Sequence, residues 1–316
     1  MGMKNVFGLL FFLLFTSQAY SQGMMEGLTP PSQQRTLLSY TGLFFDKADF
    51  PQERASTSYQ SMDFSTPVYR TEQQSISLNL SGSQYLVTPA QSEISGLYDI
   101  KFGLGYTRVI DEKRLWSVNV RYGSASDKPF ESADVSTLGV TAFYSYPDDE
   151  SSRWLLLVDY SNNRPILNNL PLPGFAYFYN RSKEFRSVIG IPFASFNWQF
   201  ADMWGWDFFT LVPWVVKTSV YYKVTDFAKL YTGVDFSQIT YYLYGRQNKE
   251  DRLFYDDKKV FIGLKSPISK QILADLEAGH SFDRRFFVDE NYVISPDNAI
   301  SIGNSYYLKL SLKFIL

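Results

Sequence analysis

The chain ends in SYYLKLSLKFIL, residues 305–316, a stretch in which apolar and polar side chains alternate. Because successive side chains of a strand point to opposite faces, one face is wholly apolar or aromatic, with Tyr306, Leu308, Leu310, Leu312, Phe314 and Leu316. The other face carries Tyr307, Lys309, Ser311 and Lys313. A soluble sheet would turn the apolar face to a core, whereas a closed barrel in a bilayer would turn it to lipid. The rest of the chain decides between these two arrangements.

The same alternation recurs along the chain from residue 93 onward, which is the signal of successive strands. Short connectors fall near 110–114, 147–152, 201–204, 225–228 and 266–270. Longer connectors fall between them, near 123–134, 161–184, 246–257 and 283–304, and a short one at Pro213 breaks the pattern. Short turns at one rim and long loops at the other are typical of a bacterial outer-membrane barrel.

The N-terminus predicts export from the cytoplasm. Residues 1–21 place Lys4 before an apolar run, 6–15, and end in the small-x-small cleavage pattern 19–21. The alternative is a membrane anchor, but this run falls short of the roughly 20 residues that a membrane helix needs. The chain has no cysteine, so neither a lipid at the cleavage site nor a disulfide is expected. Residues 1–21 are therefore predicted to be a cleaved signal peptide.

The predicted fold class is all-β, a transmembrane antiparallel up-and-down barrel of about 12 strands, within a range of about 10–14. Residues 75–316 form the barrel in this interpretation, with the first strand beginning near Ser75. Residues 22–74 form an N-terminal segment that could hold one or two strands, for example from Thr36 to Phe45. Twelve strands follow if that segment lies outside the barrel, and fourteen if it supplies two.

If the apolar faces meet lipid, the charged side chains line the interior. The candidates for the lumen lining are Lys259, Lys265, Asp275, Glu277, Lys309, Lys313, Arg121 and Asp235. The last three predicted strands then carry basic, acidic and basic residues in that order, an arrangement in which opposite charges face each other across strand pairs. One interpretation is a salt-bridge network inside a narrow barrel, and the other is a charged constriction that filters solutes. An inward excess of Lys and Arg predicts a preference for anions.

Composition argues against several classes of function. Thirty Lys and Arg balance 32 Asp and Glu without a basic block, which argues against nucleic acid as a partner. A single histidine and no cysteine exclude the usual zinc sites, and no phosphate-binding glycine motif is present, so neither metal nor cofactor is predicted. The neighbours His280 and Ser281 invite comparison with a hydrolase. Adjacent strand residues point to opposite faces, however, so these two cannot form a base–nucleophile pair, and no enzyme is predicted.

The export signal, the amphipathic strands and the terminal Phe314-Ile-Leu316 resemble those of bacterial outer-membrane β-barrel proteins. That resemblance implies recognition of the C-terminal strand, Tyr306 to Leu316, by the barrel-assembly machinery, although the class usually ends in an aromatic residue. The segment from Val188 to Trp198 resembles one found in a family of uncharacterised Gram-negative barrel proteins, catalogued as a domain of unknown function. The resemblance covers most of residues 75–316 and is specific around 186–224. It implies location and fold, and no site residues.

The sequence thus predicts a porin-like passive channel for small solutes in the bacterial outer membrane, with lipid as its surroundings. One alternative is a closed structural or surface-binding barrel that acts through the connectors 161–184 and 283–304. A lipid-modifying enzyme is a third, and a soluble two-layer β protein remains open because alternation does not orient the faces. Gly190-Ile-Pro192 interrupts a strand pattern, which indicates either curvature of the wall or an irregular wall that admits apolar substrates sideways.

Overall fold

The computed structural model describes residues 29–316, apart from 52, 90–95, 112, 113, 150, 181, 213 and 214. The predicted signal peptide lies outside the described residues. Over these residues the chain is almost entirely strand, with two short 3-10 helices, Pro31–Gln33 and Ala133–Val135. The strands are β1 (Leu37–Phe45), β2 (Ala48–Asp49), β3 (Arg54–Arg70), β4 (Gln74–Thr88), β5 (Gly96–Val109), β6 (Leu115–Ser126), β7 (Ser136–Pro147), β8 (Arg153–Ser161), β9 (Leu172–Tyr179), β10 (Phe185–Ile191), β11 (Phe193–Trp198), β12 (Trp204–Leu211), β13 (Val215–Lys223), β14 (Lys229–Tyr241), β15 (Arg252–Pro267), β16 (Ile272–Asp289), β17 (Ile300–Ile302) and β18 (Ser305–Ile315).

Sixteen of the strands in the described residues close into one antiparallel barrel. The terminal strand closes it, because β18 pairs with β1 from Leu37 opposite Ile315 to Phe45 opposite Tyr307. The other two strands, β2 and β17, lengthen the sheet beside β3 and β16. Closure leaves no unpaired edge, which is the condition for a sheet to cross a bilayer.

The side chains of β18 show how the barrel faces its surroundings. Tyr306 and Leu308 are 70% and 59% exposed, whereas Tyr307 and Lys309 between them are 3% and 7% exposed. The apolar face is therefore the outer surface, and the face that carries the lysines points inward. A closed antiparallel barrel with this exterior belongs in a bacterial outer membrane, so the soluble two-layer alternative is wrong. None of the helices in the described part of the chain is long and apolar enough to span a bilayer.

The predicted number of strands was too low, and three features account for the difference. The segment 22–74 supplies two barrel strands, β1 and β3. The predicted connector 161–184 contains β9, and the stretch between this connector and the one at 201–204 holds two strands rather than one, the hairpin of β10 and β11. Adding these four strands to twelve gives the observed sixteen. The even number places both chain ends at one rim, which is the periplasmic rim in this class of barrel.

The two rims differ, and the outer rim is uneven. The periplasmic rim consists of turns such as 71–73 and 268–271. Most outer connectors are longer, but β10 joins β11 through residue 192 alone, and β12 joins β13 through 212–214. The strands β9, β10, β11 and β12 have 8, 7, 6 and 8 residues, against 17 in β3 and 18 in β16. We call β9–β12 the low wall.

Replacement of Leu310 at the middle of β18 tests the orientation of the faces. Leu310→Arg is expected to lower the free energy of unfolding by about 2–4 kcal/mol, because it places a charge on the lipid face near the bilayer midplane. Tyr306→Arg, on the same face near the end of the strand, is expected to cost only about 0–1 kcal/mol. Denaturant unfolding in lipid vesicles measures both. Equal losses at the two positions would contradict the proposed depth of β18 in the membrane.

Candidate functional site

A central cavity of about 330 Å³ lies inside the barrel. Ten charged side chains line it within the described residues, five acidic (Asp63, Asp99, Asp235, Asp257, Glu277) and five basic (Lys101, Arg121, Lys217, Lys259, Lys309). The predicted excess of Lys and Arg is absent from this lining, so the interior gives no basis for the predicted preference for anions. Phe209, Leu211 and Val215 form an apolar side of the same cavity.

A second cavity of about 300 Å³ lies toward the periplasmic rim, where the turn residues Asp226, Phe227 and Lys270 contribute to its lining. Lys217 and Glu277 line both cavities. These two side chains therefore stand between the cavities, and we call them and their ion-pair partners Asp235 and Lys309 the partition. The partition therefore marks the place where the two cavities come closest to each other.

Hydrogen bonds and ion pairs between inward-facing side chains of β13, β14, β16 and β18 hold the partition together. Lys309 Nζ lies 2.5 Å from Glu277 Oε2, and Lys217 Nζ lies 3.4 Å from Asp235 Oδ2. The Tyr307 hydroxyl donates to Glu277 Oε1 at 2.8 Å and the Tyr231 hydroxyl to Glu277 Oε2 at 3.1 Å. Glu277 is 3% exposed, so its charge depends on these partners rather than on water.

The structure places the sequence-derived candidates on the inward face, in two groups. The larger group is on β14–β18, where Lys265 lies opposite Asp275 and Glu277 lies opposite Lys309 in the strand register. Arg121 lies apart from it on β6, where its guanidinium donates to the Thr141 hydroxyl at 3.3 Å. The remaining candidates belong to the larger group: Asp235 in the partition, Lys259 with its carboxylate partner Asp257 at 2.9 Å, and the buried Lys313 on β18.

His280 and Ser281 lie on opposite faces of β16. The imidazole of His280 is on the lipid face, 5.1 Å from the ring centroid of Tyr306. The Ser281 hydroxyl is buried in the interior, where it donates to Asp257. The two side chains therefore cannot act together as base and nucleophile, as the strand parity predicts.

The outer mouth of the barrel is narrowed by a contact between opposite sides of the barrel. Ser126 at the end of β6 forms a parallel bridge with Tyr242 after β14, and the Tyr242 amide donates to the Ala125 carbonyl at 2.7 Å. Seven barrel strands lie between β6 and β14 in either direction. The connector 242–251 continues the contact, since Arg246 donates to the Asp134 carbonyl at 2.7 Å. Burial raises the pKa of the Tyr242 phenol, which stays neutral and donates to the Asn162 carbonyl.

The contact between β6 and the connector 242–251 divides the outer mouth into two halves. A packed cluster fills the half that is bounded by β15, β16, β18, β1, β3, β4 and β5. Its core includes Tyr85, Tyr255 and Phe286, with Leu97 and Leu253. Arg284 lies beside this cluster, fully buried, and donates to the hydroxyls of three residues: Thr57 at 2.6 Å, Tyr85 at 3.2 Å and Tyr255 at 3.4 Å. Its guanidinium also lies 4.2 Å from the ring centroid of Phe45. The described side chains of this half of the mouth therefore pack together as a protein core does.

Several residues of the site escape sequence-based prediction. Tyr231 and Tyr307 occupy inward positions that strand parity reveals, but nothing local indicates that both hydroxyls reach Glu277. Arg284 lies at a register shift between β15 and β16, and this shift interrupts the simple alternation of inward and outward side chains. The contact between β6 and the connector 242–251 joins segments more than a hundred residues apart, and only the closed barrel brings them together.

No protein-family model matches the sequence, and no curated protein does. Among solved structures, the chain is similar to the monoaromatic hydrocarbon channel CymD, with 11% identity over 95% of this chain and 94% of that one and a TM-score of 0.43. It is also similar to a FadL homologue of Pseudomonas aeruginosa (12% identity, 92% and 93% covered, TM-score 0.36). An outer-membrane channel of Pseudomonas putida F1 gives 9% identity, 89% and 96% coverage and a TM-score of 0.35. At these scores the similarities carry no argument about function, and membership of the uncharacterised family stays a prediction.

Proposed function

We propose that this barrel is a passive outer-membrane channel for small solutes, in which a solute occupies the central cavity before it passes the partition. The observation that carries the proposal is the pair of cavities separated by Lys217 and Glu277. An internal cavity that adjoins a second one toward the periplasmic rim is what stepwise passage through several weak sites requires. The contact across the outer mouth then acts as the gate on the other side.

A second candidate is a closed barrel that acts through its outer connectors. The packed cluster around Tyr255 and Phe286 favours it, because such packing fills the mouth as a protein core would. The connectors are also tied together: the Tyr292 amide donates to the Pro165 carbonyl at 2.9 Å. In this alternative the partition is a structural salt-bridge network, and its removal would open no path.

Removal of one ion pair of the partition distinguishes the two candidates. The double variant Lys217→Ser/Asp235→Ser removes both charges together, so no unpaired charge is left buried. We expect a several-fold larger single-channel conductance than that of the unaltered barrel in a planar bilayer, because Lys217, one of the two side chains that separate the cavities, no longer stands between them.

The matched control is Arg54→Ser/Asp49→Ser, which removes an exposed ion pair at the outer rim, outside both cavities. Its conductance should equal that of the unaltered protein. A membrane that stays silent with the unaltered barrel and with both variants, although all three migrate as folded barrels on a gel, would favour the closed barrel.

A further inference from the structure

One side of the central cavity is a polar wall formed by β4, β5 and β6. Its inward side chains include Asn79, Asp99, Lys101, Asn119 and Arg121, all of which line the cavity. They lie close together in the strand register, because Gly103 on β5 is opposite Asn79 on one side and Arg121 on the other. The partition is on the other strands, β13–β18, so the polar wall is a separate part of the same cavity.

Two glycines on β5, Gly103 and Gly105, let the side chains of the flanking strands come close together in the polar wall. A Cβ on Gly105 would lie 2.4 Å from Ser77 Oγ, closer than real contacts allow. A Cβ on Gly103 would lie 3.2 Å from Arg121 Cγ and 3.3 Å from Asn79 Cβ. The absence of side chains at these two positions lets polar groups from the flanking strands approach one another from both sides of β5.

Two amides and one carboxylate of the polar wall have buried polar atoms without a hydrogen-bond partner among the described residues. These atoms are Asn119 Oδ1, both side-chain polar atoms of Asn79, and Asp99 Oδ1. Asn119 is 5% exposed, and its amide carbonyl is buried in the wall of a cavity rather than at the surface. Buried polar groups in folded proteins are almost always hydrogen-bonded, because an unmade bond is costly. Three of the four atoms are acceptors, which calls for a ligand that is rich in donors.

The chemistry of the cavity narrows the class of that ligand. Five acidic and five basic side chains cancel, so the lining as a whole favours neither a cation nor an anion. A hydroxyl group both donates and accepts, and it therefore matches amide carbonyls, carboxylates and guanidinium donors at once. The apolar side at Phe209 and Leu211 would meet the C–H face of a ring. The volume of about 330 Å³ is at the lower end of ligand pockets, about 300–1,000 Å³.

We infer that the polar wall binds a neutral polyhydroxylated solute of the size of a mono- or disaccharide. The inference rests on the proposed channel function and names the class of its solute. Each hydroxyl of such a solute can supply a donor to Asn79, Asp99 or Asn119 and accept from Arg121.

Titration calorimetry of the detergent-folded barrel tests the inference with four probes that share one ring scaffold. Glucose and its dimer maltose are neutral, glucosamine carries an ammonium group, and glucuronate carries a carboxylate. We expect saturable binding of glucose or maltose in the millimolar range or tighter, and weaker binding of the two charged sugars. Saturable binding of glucosamine or glucuronate alone, or of none of the four, would overturn the inference.

The variant Asn79→Leu/Asn119→Leu replaces both amides by apolar side chains of similar size. It is expected to weaken binding of the neutral sugar by about tenfold or more, since two hydrogen bonds are lost. Asn248→Leu/Asn298→Leu makes the same exchange on outer connectors and should leave binding unchanged.

If the variant Asn79→Leu/Asn119→Leu folds and binds as tightly as the unaltered barrel, the polar wall is not the site. If it fails to fold, the four-probe comparison on the unaltered barrel still decides. Calorimetry requires no transport, so sugar binding without conductance would contradict the channel, and conductance without sugar binding would contradict this inference alone.

Discussion

The variant Ser126→Cys/Tyr242→Cys is expected to lose its conductance when oxidised and to regain it when reduced. These two residues are bridge partners across the outer mouth, a spacing that permits a disulfide. The natural chain has no cysteine, so the engineered pair has no competing thiol. If solutes enter through the mouth, a covalent link between β6 and the connector 242–251 closes it, and reduction reopens it. Single-channel recording before and after addition of a reductant measures the change.

The control for this experiment is a disulfide that joins strands already paired in the barrel. Tyr40 on β1 and Leu312 on β18 are opposite each other on the lipid face, so Tyr40→Cys/Leu312→Cys adds a link without crossing the lumen. Its conductance should be the same in both redox states. Equal conductance of the oxidised and reduced mouth variant would show that solutes avoid this contact, and the low wall at β9–β12 would become the candidate entrance.

Loss of Lys309 from the partition is expected to have the largest effect on the stability of the barrel. Lys309→Met leaves Glu277 buried without its cation, and we expect the free energy of unfolding to fall by about 3–5 kcal/mol. The double variant Lys309→Met/Glu277→Met replaces the whole pair by apolar side chains of similar length and should recover most of that loss. Denaturant unfolding of the barrel in vesicles measures both variants. Equal destabilisation by the single and double changes would contradict a buried charge pair at this point.

Strand parity made much of the fold predictable. The period of two assigns each residue to a face, so the last strand alone indicates which side chains meet lipid and which face inward. The opposition of Glu277 and Lys309 follows from the same parity, because consecutive antiparallel strands are neighbours in an up-and-down barrel. The net charge of the cavity lining was harder to predict from the sequence, since it depends on which inward residues reach the same cavity.

Strand β9, which lies in the predicted connector 161–184, lacks the usual alternation. In β9, Ala176 and Phe178 are buried in an apolar cluster inside the barrel, while Phe175 is exposed on the outer surface. Both faces of this strand are therefore apolar or small, and no period of two is visible. The hairpin of β10 and β11 is similarly hidden, because a single residue, Pro192, separates two strands that together have the length of one.

The low wall imposes a demand on the membrane around the protein. The seven residues of β10 extend about 23 Å along the strand and less along the membrane normal, because barrel strands tilt by about 35–45°. The apolar band of an outer-membrane barrel is about 25 Å tall, so lipids beside β10 and β11 must thin, tilt or expose their chains at a cost of fractions of a kcal/mol per Å. Lipids beside β3 meet a strand of 17 residues and have no such mismatch. The barrel therefore deforms its bilayer most beside the low wall, and short-chain lipids or the same flank of a second barrel are favoured there.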